Sequence, residues 1–257
     1  MFAEVSEMER TVLHCDCNSF FASVETVAHP EYSKVPMAVC GSVENRHGIV
    51  LAKNELAKKA GVSTGEVIWK AKQKCPSLLV VHPTYGLYSQ YSEAVNSIYY
   101  EYTDRIEPFG IDESWLDVTG SYKLFGDGRR IADILRERIK RELGITISVG
   151  VSFTKTFAKL GSDYKKPDAT TLISRENYKQ LLFPLPVDTL LFVGRHTKEK
   201  LHMLGINTVG ELAAADPSFL TESFGRTGES LYNAATGAYD GEVAVYGSSY
   251  EEKSIGN

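Results

Sequence analysis

The chain has 257 residues, a length that suits one large domain or two to three small ones. Its net charge of −5 argues against nucleic-acid binding by the whole surface, because phosphate contacts need clustered lysine and arginine, but it is compatible with a local basic groove. No run of about 18 apolar residues occurs, and the N-terminal residues lack the apolar stretch of a secretory signal, so we expect no membrane partner.

The four cysteines bear on the cellular compartment. Cys15 and Cys17 are separated by one residue on a strand pattern, whereas zinc sites usually have about two to four intervening residues and a second pair elsewhere. We therefore expect Cys15, Cys17, Cys40 and Cys75 to be buried free thiols rather than zinc ligands. Free thiols favour a reducing, cytoplasmic location.

Strand and helix patterns alternate through most of the chain. Short apolar or β-branched runs predict strands at 11–16, 35–40, 48–52, 78–82 and 145–151. Helical patterns lie at 18–29, with Asn18 as its cap, and at 53–60, 65–74, 86–104, 129–143 and 154–165. Residues 106–118 predict a β-hairpin with Gly110 near its tip. The alternation indicates an α/β or α+β sheet domain up to about residue 173, and residues 174–240 indicate a second, all-helical unit.

Three acidic residues stand where packing alone does not explain them. Asp16 ends a buried-type strand, where a lone carboxylate is costly to desolvate, and Asp112 and Glu113 are neighbours at the hairpin tip. Adjacent strand residues point to opposite faces, so Asp112 and Glu113 can act together only if a turn or bulge, eased by Gly110, redirects one of them. Converging carboxylates suit Mg²⁺, and two ions about 3.5–4 Å apart can stabilise both oxygens of a phosphoryl transfer. The alternative is a solvated turn at Asp112 and Glu113 and a helix cap at Asp16.

Three runs around these acids resemble motifs of the lesion-bypass (Y-family, ImpB/MucB/SamB-type) DNA polymerases. The run DCNSFFASVE at 16–25 resembles the first motif, and GIDESWLD at 110–117 resembles the second metal motif, typically S-I-D-E-x-x-L-D. The run SFTKTFAKLGSDYKKP at 152–167 resembles the segment K-x-x-A-K-x-A-S-x-x-x-K-P. All three occur in the family's order and at about its spacing, and the resemblance extends from about residue 11 to the end of the chain.

The resemblance implies a right-hand polymerase of the α+β class. Its palm, a ferredoxin-like mixed sheet with helices, would comprise residues 10–25 and 85–173, and small fingers would comprise 26–84. An all-helical thumb containing a helix-hairpin-helix would cover 174–240. Residues 241–257 would be a linker toward a little-finger domain that this chain lacks, together with the family's C-terminal sliding-clamp peptide. We therefore expect a monomeric fragment holding palm, fingers and thumb.

The resemblance also implies roles for the three acids. Asp16, Asp112 and Glu113 would be catalytic and would bind two Mg²⁺ ions, with the backbone carbonyl of Cys17 as a further ligand. Mn²⁺ is an alternative ion. The attacking group would be the primer 3′-hydroxyl, and pyrophosphate would leave.

Nucleotide binding is assigned to five residues by the same similarity: Ser19, Phe20, Phe21, Lys58 and Lys166. Phe21 matches the family's steric gate, which excludes a 2′-hydroxyl by a clash. Because Phe20 and Phe21 cannot face the same way, we expect one to be a core residue and the other the gate. Lys166 matches the lysine that neutralises the triphosphate, and Lys159 is expected to support its segment.

The fingers segment departs from many relatives. In the run AKNELAKKAGV at 52–62, Glu55 stands where a triphosphate-binding tyrosine often lies, and Lys58 stands where an arginine often lies. Lys58 can pair with phosphate, though without a bidentate fork, whereas an ionised Glu55 cannot donate a hydrogen bond. Asn18 and Lys58 resemble the bacterial polymerase V-like branch, and the segments around Glu25 and Lys166 resemble the polymerase IV-like branch.

The helical unit contains a degraded helix-hairpin-helix pattern. The family's P-G-I-G is degraded to FVGR at 192–195. By similarity, DNA-backbone contacts would come from Gly194, Arg195, Thr197 and Lys198. The alternative is a plain helical turn in a small bundle.

Three hypotheses for function follow. The first is a template-directed DNA polymerase of the translesion type that binds primer-template DNA and a deoxynucleoside triphosphate. The second is a non-catalytic DNA-binding scaffold of the same fold, for which Glu55 is the only favourable feature. The third is a palm-type nucleotide cyclase, which would not need a helix-hairpin-helix-like thumb.

Overall fold

The structure is a computed structural model and describes residues 9–41 and 48–248. Eight strands in these residues form two sheets. They are β1 (Val12–Cys17), β2 (Met37–Cys40), β3 (Val50–Lys53), β4 (Leu79–Val81), β5 (Ile106–Pro108), β6 (Glu113–Asp117), β7 (Ile147–Ser152) and β8 (Thr170–Leu172).

The same ranges contain twelve α-helices. Seven accompany the sheets: α1 (Phe20–Ala28), α2 (Glu55–Lys59), α3 (Ile68–Lys74), α4 (Tyr85–Tyr100), α5 (Tyr122–Phe125), α6 (Gly128–Leu143) and α7 (Lys155–Tyr164). Five follow them: α8 (Tyr178–Leu182), α9 (Arg195–Met203), α10 (Val209–Ala214), α11 (Pro217–Phe224) and α12 (Arg226–Thr236).

The larger sheet has the strand order β5-β6-β1-β7-β8. Its central strand, β1, runs antiparallel to β6 and β7, and β8 is parallel to β7. All six residues of β1 and of β7 are buried, because helices cover both faces. Leu13 and Cys15 pack with α4 and α6, so the alternate positions Val12, His14 and Asp16 face α7. This alternation places Asp16 on the face that α7 covers.

Two glycines bring α7 very close to β7. A Cβ atom at Gly150 on β7 would lie 1.9 Å from the Ala158 carbonyl oxygen, and one at Gly161 on α7 would lie 2.9 Å from the Gly150 Cα. Only glycine permits this backbone approach. The contact fixes the position of α7 over β7 and over the neighbouring strand β1, which carries Asp16.

The smaller sheet has the order β3-β2-β4, with β2 antiparallel to β3 and parallel to β4. Asn54 caps α2, since its side-chain oxygen accepts from the Ala57 N–H at 3.0 Å, and the same oxygen accepts from the Met37 N–H at 3.1 Å. Cys40 and Cys75 lie in the hydrophobic cluster under α2 and α3. All four cysteines are free and buried, which confirms the sequence prediction.

Helices α8 to α12 have a hydrophobic cluster of their own, which also includes Phe157 of α7. The segment that follows α12 returns to the larger sheet. Asp240 accepts from the Thr156 N–H at 2.7 Å in the first turn of α7, and Arg10 donates to the Gly241 carbonyl at 2.6 Å. The end of the described chain is thus fastened to the sheet domain.

The predicted α+β class is confirmed, and two local predictions need correction. Asn18 is not the cap of α1: the helix begins after Ser19, whose left-handed φ of 48° turns the chain out of β1. The edge strand β8 was not predicted, because its sequence, TTL, contains no apolar or alternating run. Within the described residues, no helix is long and apolar enough to cross a membrane.

Candidate active site

The register of β1 and β6 brings two of the three predicted carboxylates together. Asp16 on β1 pairs directly with Glu113 on β6, and both carboxylates contact α7. Asp16 is 5% exposed, and Glu113 is half-buried. Like charges directly opposite each other destabilise a sheet, so this pair requires compensating positive charge.

Asp112 approaches from the hairpin that connects β5 to β6. Gly110 adopts a φ of 85°, which glycine reaches without steric cost, and the chain bends before β6 begins. The Phe109 N–H donates to the Glu113 carbonyl at 2.8 Å, and the Cys17 N–H donates to the Asp112 carbonyl at 2.9 Å. Because Asp112 lies outside the strand, strand alternation does not separate it from Glu113.

Two lysines lie among the carboxylates. Lys166 Nζ is 2.5 Å from Asp16 Oδ2 and 2.8 Å from Asp163 Oδ1. Lys159 Nζ is 2.8 Å from Glu113 Oε2 and 3.3 Å from Asp16 Oδ2. The sequence suggested only a supporting role for Lys159, yet the structure places it between the two strands' carboxylates. Its motif position was the available signal, but the contact across the sheet could not be deduced from spacing.

His14 is a site residue that the sequence analysis did not single out. It is fully buried, and its Nε2 lies 3.2 Å from Glu113 Oε2. Its Nδ1 lies 2.8 Å from Ser162 Oγ, and its ring meets Trp115 edge-on at 5.1 Å. The signal was its position two residues before Asp16, which places both side chains on one face of the strand.

Burial and mutual repulsion shift the pKa values of the acids. Burial, followed by the charges of Asp16 and Glu113, raises the pKa of Asp112 to about 6. Burial likewise raises the pKa of Asp16. Burial alone would raise the pKa of Glu113, but contacts with His14 and Lys159 outweigh it and lower that pKa to about 2. The cluster therefore holds neighbouring carboxyl groups with widely separated proton affinities.

The donor set fits a hard divalent cation in kind and in charge. Carboxylate oxygens are the ligands that Mg²⁺ prefers, and the part of the raised pKa of Asp112 that comes from Asp16 and Glu113 marks repulsion that a cation would relieve. In residues 9–41 and 48–248, no three His, Cys, Asp or Glu side chains converge closely enough to hold an ion as they stand. Lys159 and Lys166 carry the compensating charge instead.

Asn18 fastens the loop that carries Lys166 to the end of β1. Its Oδ1 accepts from the Asp168 N–H at 2.8 Å and from the Thr146 hydroxyl at 3.1 Å. Its Nδ2 donates to Ser148 Oγ at 2.8 Å. Asn18 therefore joins three chain segments rather than capping a helix.

The aromatic pair at the start of α1 divides between core and surface. Phe20 is buried, whereas Phe21 is half-buried and stacks on Tyr88 of α4 with ring centroids 4.2 Å apart and an interplanar angle of 12°. Tyr85 meets Phe21 edge-on at 6.2 Å. Ser19, in its left-handed conformation, is exposed at the head of the helix. The gate role of Phe21 stays a prediction.

An open cleft of about 490 Å³ lies between α1 and the start of α2. Its lining includes Asn18 and Ser19 from the end of β1, Glu55 from α2 and Pro167 from the loop after Lys166. Lys58 contacts Glu55 at 3.5 Å, and both side chains are more than half exposed. Of the predicted nucleotide-binding residues, Ser19 lines this cleft, whereas Phe20, Phe21, Lys58 and Lys166 do not.

The predicted DNA-binding residues lie at the start of α9. Gly194 is the cap, with a φ of −76°, and Arg195, Thr197 and Lys198 occupy the first turn. First-turn N–H groups lack intrahelical partners, and a Cβ atom at Gly194 would meet nothing within 4 Å. Lys198 is tied to Asp188 at 2.6 Å. The cap is open to an approaching anion.

Two family models match the chain. Residues 15–163 match the impB/mucB/samB family, and residues 190–238 match the DNA polymerase-iota thumb domain. The first match includes the three acids, and the second includes the start of α9.

Among curated relatives, DNA polymerase IV of Acetivibrio thermocellus is 53% identical over 250 residues, covering 97% of this chain and 63% of that protein. DNA polymerase IV 1 of Bacillus subtilis is 40% identical, covering 96% and 59%. The chain thus spans about three fifths of the length of these relatives. DinB from Sulfolobus solfataricus has a similar fold, with a TM-score of 0.82 and 29% identity over 91% of this chain and 69% of that one. An insertion ternary complex of Dbh DNA polymerase gives 0.83 and 30% with the same coverage.

Proposed function

The chain belongs to the impB/mucB/samB family of Y-family DNA polymerases, and on this premise we propose that it adds deoxynucleotides to a primer 3′-hydroxyl, opposite a DNA template that can carry lesions. The observation that carries the proposal is the cluster of Asp16, Asp112 and Glu113 with two lysines. Clustered carboxylates and ammonium groups provide what phosphoryl transfer needs, which is positioning and charge stabilisation.

The three acids and the Cys17 carbonyl would hold two divalent ions, Mg²⁺ or Mn²⁺. When bound, these ions supply the charge that stabilises the attacking and leaving oxygens. The chain's own contribution is to place the carboxylates. Asp16 and Glu113 are fixed by the register of a buried sheet, and Asp112 is held by a tight hairpin. Rigid strands hold a site more closely than loops do.

Lys166 would change partner during the reaction, whereas Lys159 would keep its partner. In the substrate-free cluster they neutralise Asp16 and Glu113. Lys166, whose side chain is about one third exposed, would move to the triphosphate and offset its negative charge. Lys159 is more buried and would stay with Glu113, holding that carboxylate ionised and oriented.

The remaining contacts would select and hold the substrates. Phe21 would lie against the sugar as a steric gate, with Ser19, Phe20 and Lys58 around the nucleotide. The open cap of α9 would grip the DNA backbone without regard to base sequence. The short fingers would leave the nascent base pair loosely enclosed, which tolerates damaged templates.

The proposed division is a palm at 10–25 and 85–173, fingers at 26–84, a thumb at 174–240 and a linker from 241. Three hydrophobic clusters, centred on the large sheet, the small sheet and the helical region, support it, although the first also includes Met37, Val39 and Ala52 of the small sheet and the third includes Phe157 of α7. The buried free thiols support a cytoplasmic location. The chain would act there in DNA damage tolerance.

Primer extension tests the proposal. This chain, in excess over a primed template with four deoxynucleoside triphosphates and Mg²⁺, should extend the primer, and Asp112→Ala should reduce the rate by at least about 100-fold. The matched control is Glu93→Ala, an exposed carboxylate on α4 with no ion pair in the described residues.

Equal rates for Asp112→Ala and Glu93→Ala would contradict the catalytic assignment. Binding of primed template without any extension would favour the scaffold hypothesis, and Glu55 would then be the first residue to replace.

A further inference from the structure

Glu25 is a buried acid that the proposed chemistry does not use. It lies on α1 with 3% of its surface exposed, apart from the carboxylate cluster. A buried carboxylate is costly unless it is hydrogen-bonded. In the described residues, its recorded side-chain partner is the Tyr88 hydroxyl, which donates to it at 2.6 Å. The desolvation cost of Glu25 is therefore offset, among its side-chain contacts in the described residues, by the hydrogen bond from Tyr88.

Tyr88 is held at two points by the same helix. Phe21 and Glu25 are four residues apart on α1, so their side chains lie on one face, one turn from each other. Phe21 stacks on the Tyr88 ring at 4.2 Å, and Glu25 binds its hydroxyl. Tyr88 itself is fully buried. One face of the Phe21 ring thus packs against the Tyr88 ring, whose position is restrained by burial and by its hydrogen bond to Glu25.

We propose that Glu25 is a positioning residue for sugar selection, which acts through Tyr88 to hold the Phe21 ring against the nucleotide. The inference rests on the proposed function, in which Phe21 is the steric gate. A gate rejects a ribonucleoside triphosphate by a clash, and a clash discriminates only if the ring cannot retreat. Tyr88 blocks the retreat, and the bond to Glu25 fixes the Tyr88 ring in its plane.

Packing alone would not call for this arrangement. Leucine at position 25 and phenylalanine at position 88 would fill similar space without burying polar groups, and such replacements are often neutral or stabilising. The carboxylate–phenol bond adds a direction that an apolar contact lacks. Because the Tyr88 and Phe21 rings are stacked with an interplanar angle of 12°, fixing the orientation of Tyr88 also restricts the orientation of Phe21.

The test compares incorporation of a deoxynucleotide and the matching ribonucleotide by single-turnover primer extension, with thermal melting of each variant. Glu25→Leu removes the acceptor, Glu25→Gln keeps one through its amide oxygen, and Tyr88→Phe keeps the ring without the hydroxyl. Phe21→Ala gives the loss expected when the gate is absent. Glu25→Leu and Tyr88→Phe should each lower the deoxy-to-ribo ratio of kcat/KM by about 3- to 10-fold, mainly through faster ribonucleotide incorporation. Glu25→Gln should retain the wild-type ratio.

A merely structural role would lower the melting temperature and slow both nucleotides equally, leaving the ratio unchanged, and this result would overturn the inference. If Glu25→Leu does not fold, an unchanged ratio in Tyr88→Phe overturns it. These outcomes leave the polymerase proposal intact, provided that Phe21→Ala lowers the ratio. An inactive wild-type chain would overturn the proposed function, and the inference with it.

Discussion

Two lysines of this chain show how burial decides what a charge contributes. In the sheet domain, Lys159 is 14% exposed and contacts Glu113 at 2.8 Å and Asp16 at 3.3 Å. In the fingers, Lys58 is 57% exposed and contacts Glu55 at 3.5 Å. Exposed pairs contribute little because water and salt screen them, whereas breaking a buried pair leaves a charge without a partner. The carboxylate cluster is thus built into the fold, and the fingers contacts remain available to a ligand.

The largest expected effect comes from deleting each lysine in turn. Lys159→Met should lower the free energy of unfolding by about 2–4 kcal/mol, because it leaves the half-buried Glu113 opposite the buried Asp16 without the charge that lies between them, while Lys166 still contacts Asp16. Lys58→Met, the matched exposed variant, should change it by less than about 0.5 kcal/mol. Urea denaturation at neutral pH with a metal chelator measures both. Equal losses in the two variants would contradict the comparison.

Replacing Asp112, unlike replacing Lys159, should raise the free energy of unfolding. Asp112 has a pKa raised to about 6, so its ionised form destabilises the metal-free fold. That destabilisation is absent below the unfolded pKa of about 4, grows as pH rises from about 4 to 6, and is complete above about 6. Asp112→Asn should therefore be more stable than the wild type by about 1–3 kcal/mol at pH 7 to 8, while losing activity.

Denaturation of Asp112→Asn and the wild type across this pH range, with chelator present, checks the sign. The two proteins should converge near pH 4. Added Mg²⁺ should stabilise only the wild type if Asp112 is a ligand. A difference that is largest in acid would show that burial of this carboxyl has been misjudged.

Features encoded by local sequence patterns could be predicted, whereas contacts between distant segments could not. The strand ending at Asp16 and the hairpin at Asp112 and Glu113 were predictable, because alternation, turn chemistry and the three motifs agree there. The contacts of Lys159 were not, because they depend on how closely α7 approaches β7 at Gly150. That approach is a tertiary property with no local sequence signal.

The error at Asn18 has a similar cause. Its residue type and its place before a helical pattern favour a cap, but the left-handed turn at Ser19 takes the cap position. The Asn18 side chain then reaches Asp168, which is 150 residues away in sequence. A contact between such distant segments cannot be deduced from a local pattern. His14 was overlooked because its partners also come from other strands and helices.

The turn at the carboxylates and the turn before α9 differ in the residue that adopts a left-handed conformation. Gly110 adopts a φ of 85° at no cost, whereas Phe192 adopts a φ of 67° with 81% of its surface exposed. A bulky residue in the left-handed region is strained by about 1–3 kcal/mol, and replacing it with glycine removes this strain. Glycine also increases the conformational entropy of the unfolded chain, which offsets part of the stabilisation. Phe192→Gly should therefore stabilise the chain by about 1 kcal/mol in urea denaturation.

Phe192→Ala is the control for this variant, because it removes the ring and keeps the Cβ atom that causes the strain. It should not stabilise the chain. Gly110→Ala should destabilise the chain by about 1 kcal/mol, since it introduces at the carboxylates the strain that the other turn tolerates. Stabilisation by Phe192→Ala equal to that by Phe192→Gly would assign the effect to the exposed ring instead.

The smallest effect concerns the fingers, where a charge costs the fold little and should act on the ligand. Glu55 contacts Lys58, a proposed nucleotide-binding residue, at 3.5 Å, and would compete with the triphosphate for it. Glu55→Gln removes a repulsive charge and frees the lysine, so the KM for the incoming nucleotide should fall by about 2- to 5-fold at low ionic strength. Because exposed charges are screened, the advantage should disappear at high salt, whereas Glu93→Gln should change KM at neither. A rise in KM on Glu55→Gln would mean that Glu55 orders Lys58 for the triphosphate rather than competing with it.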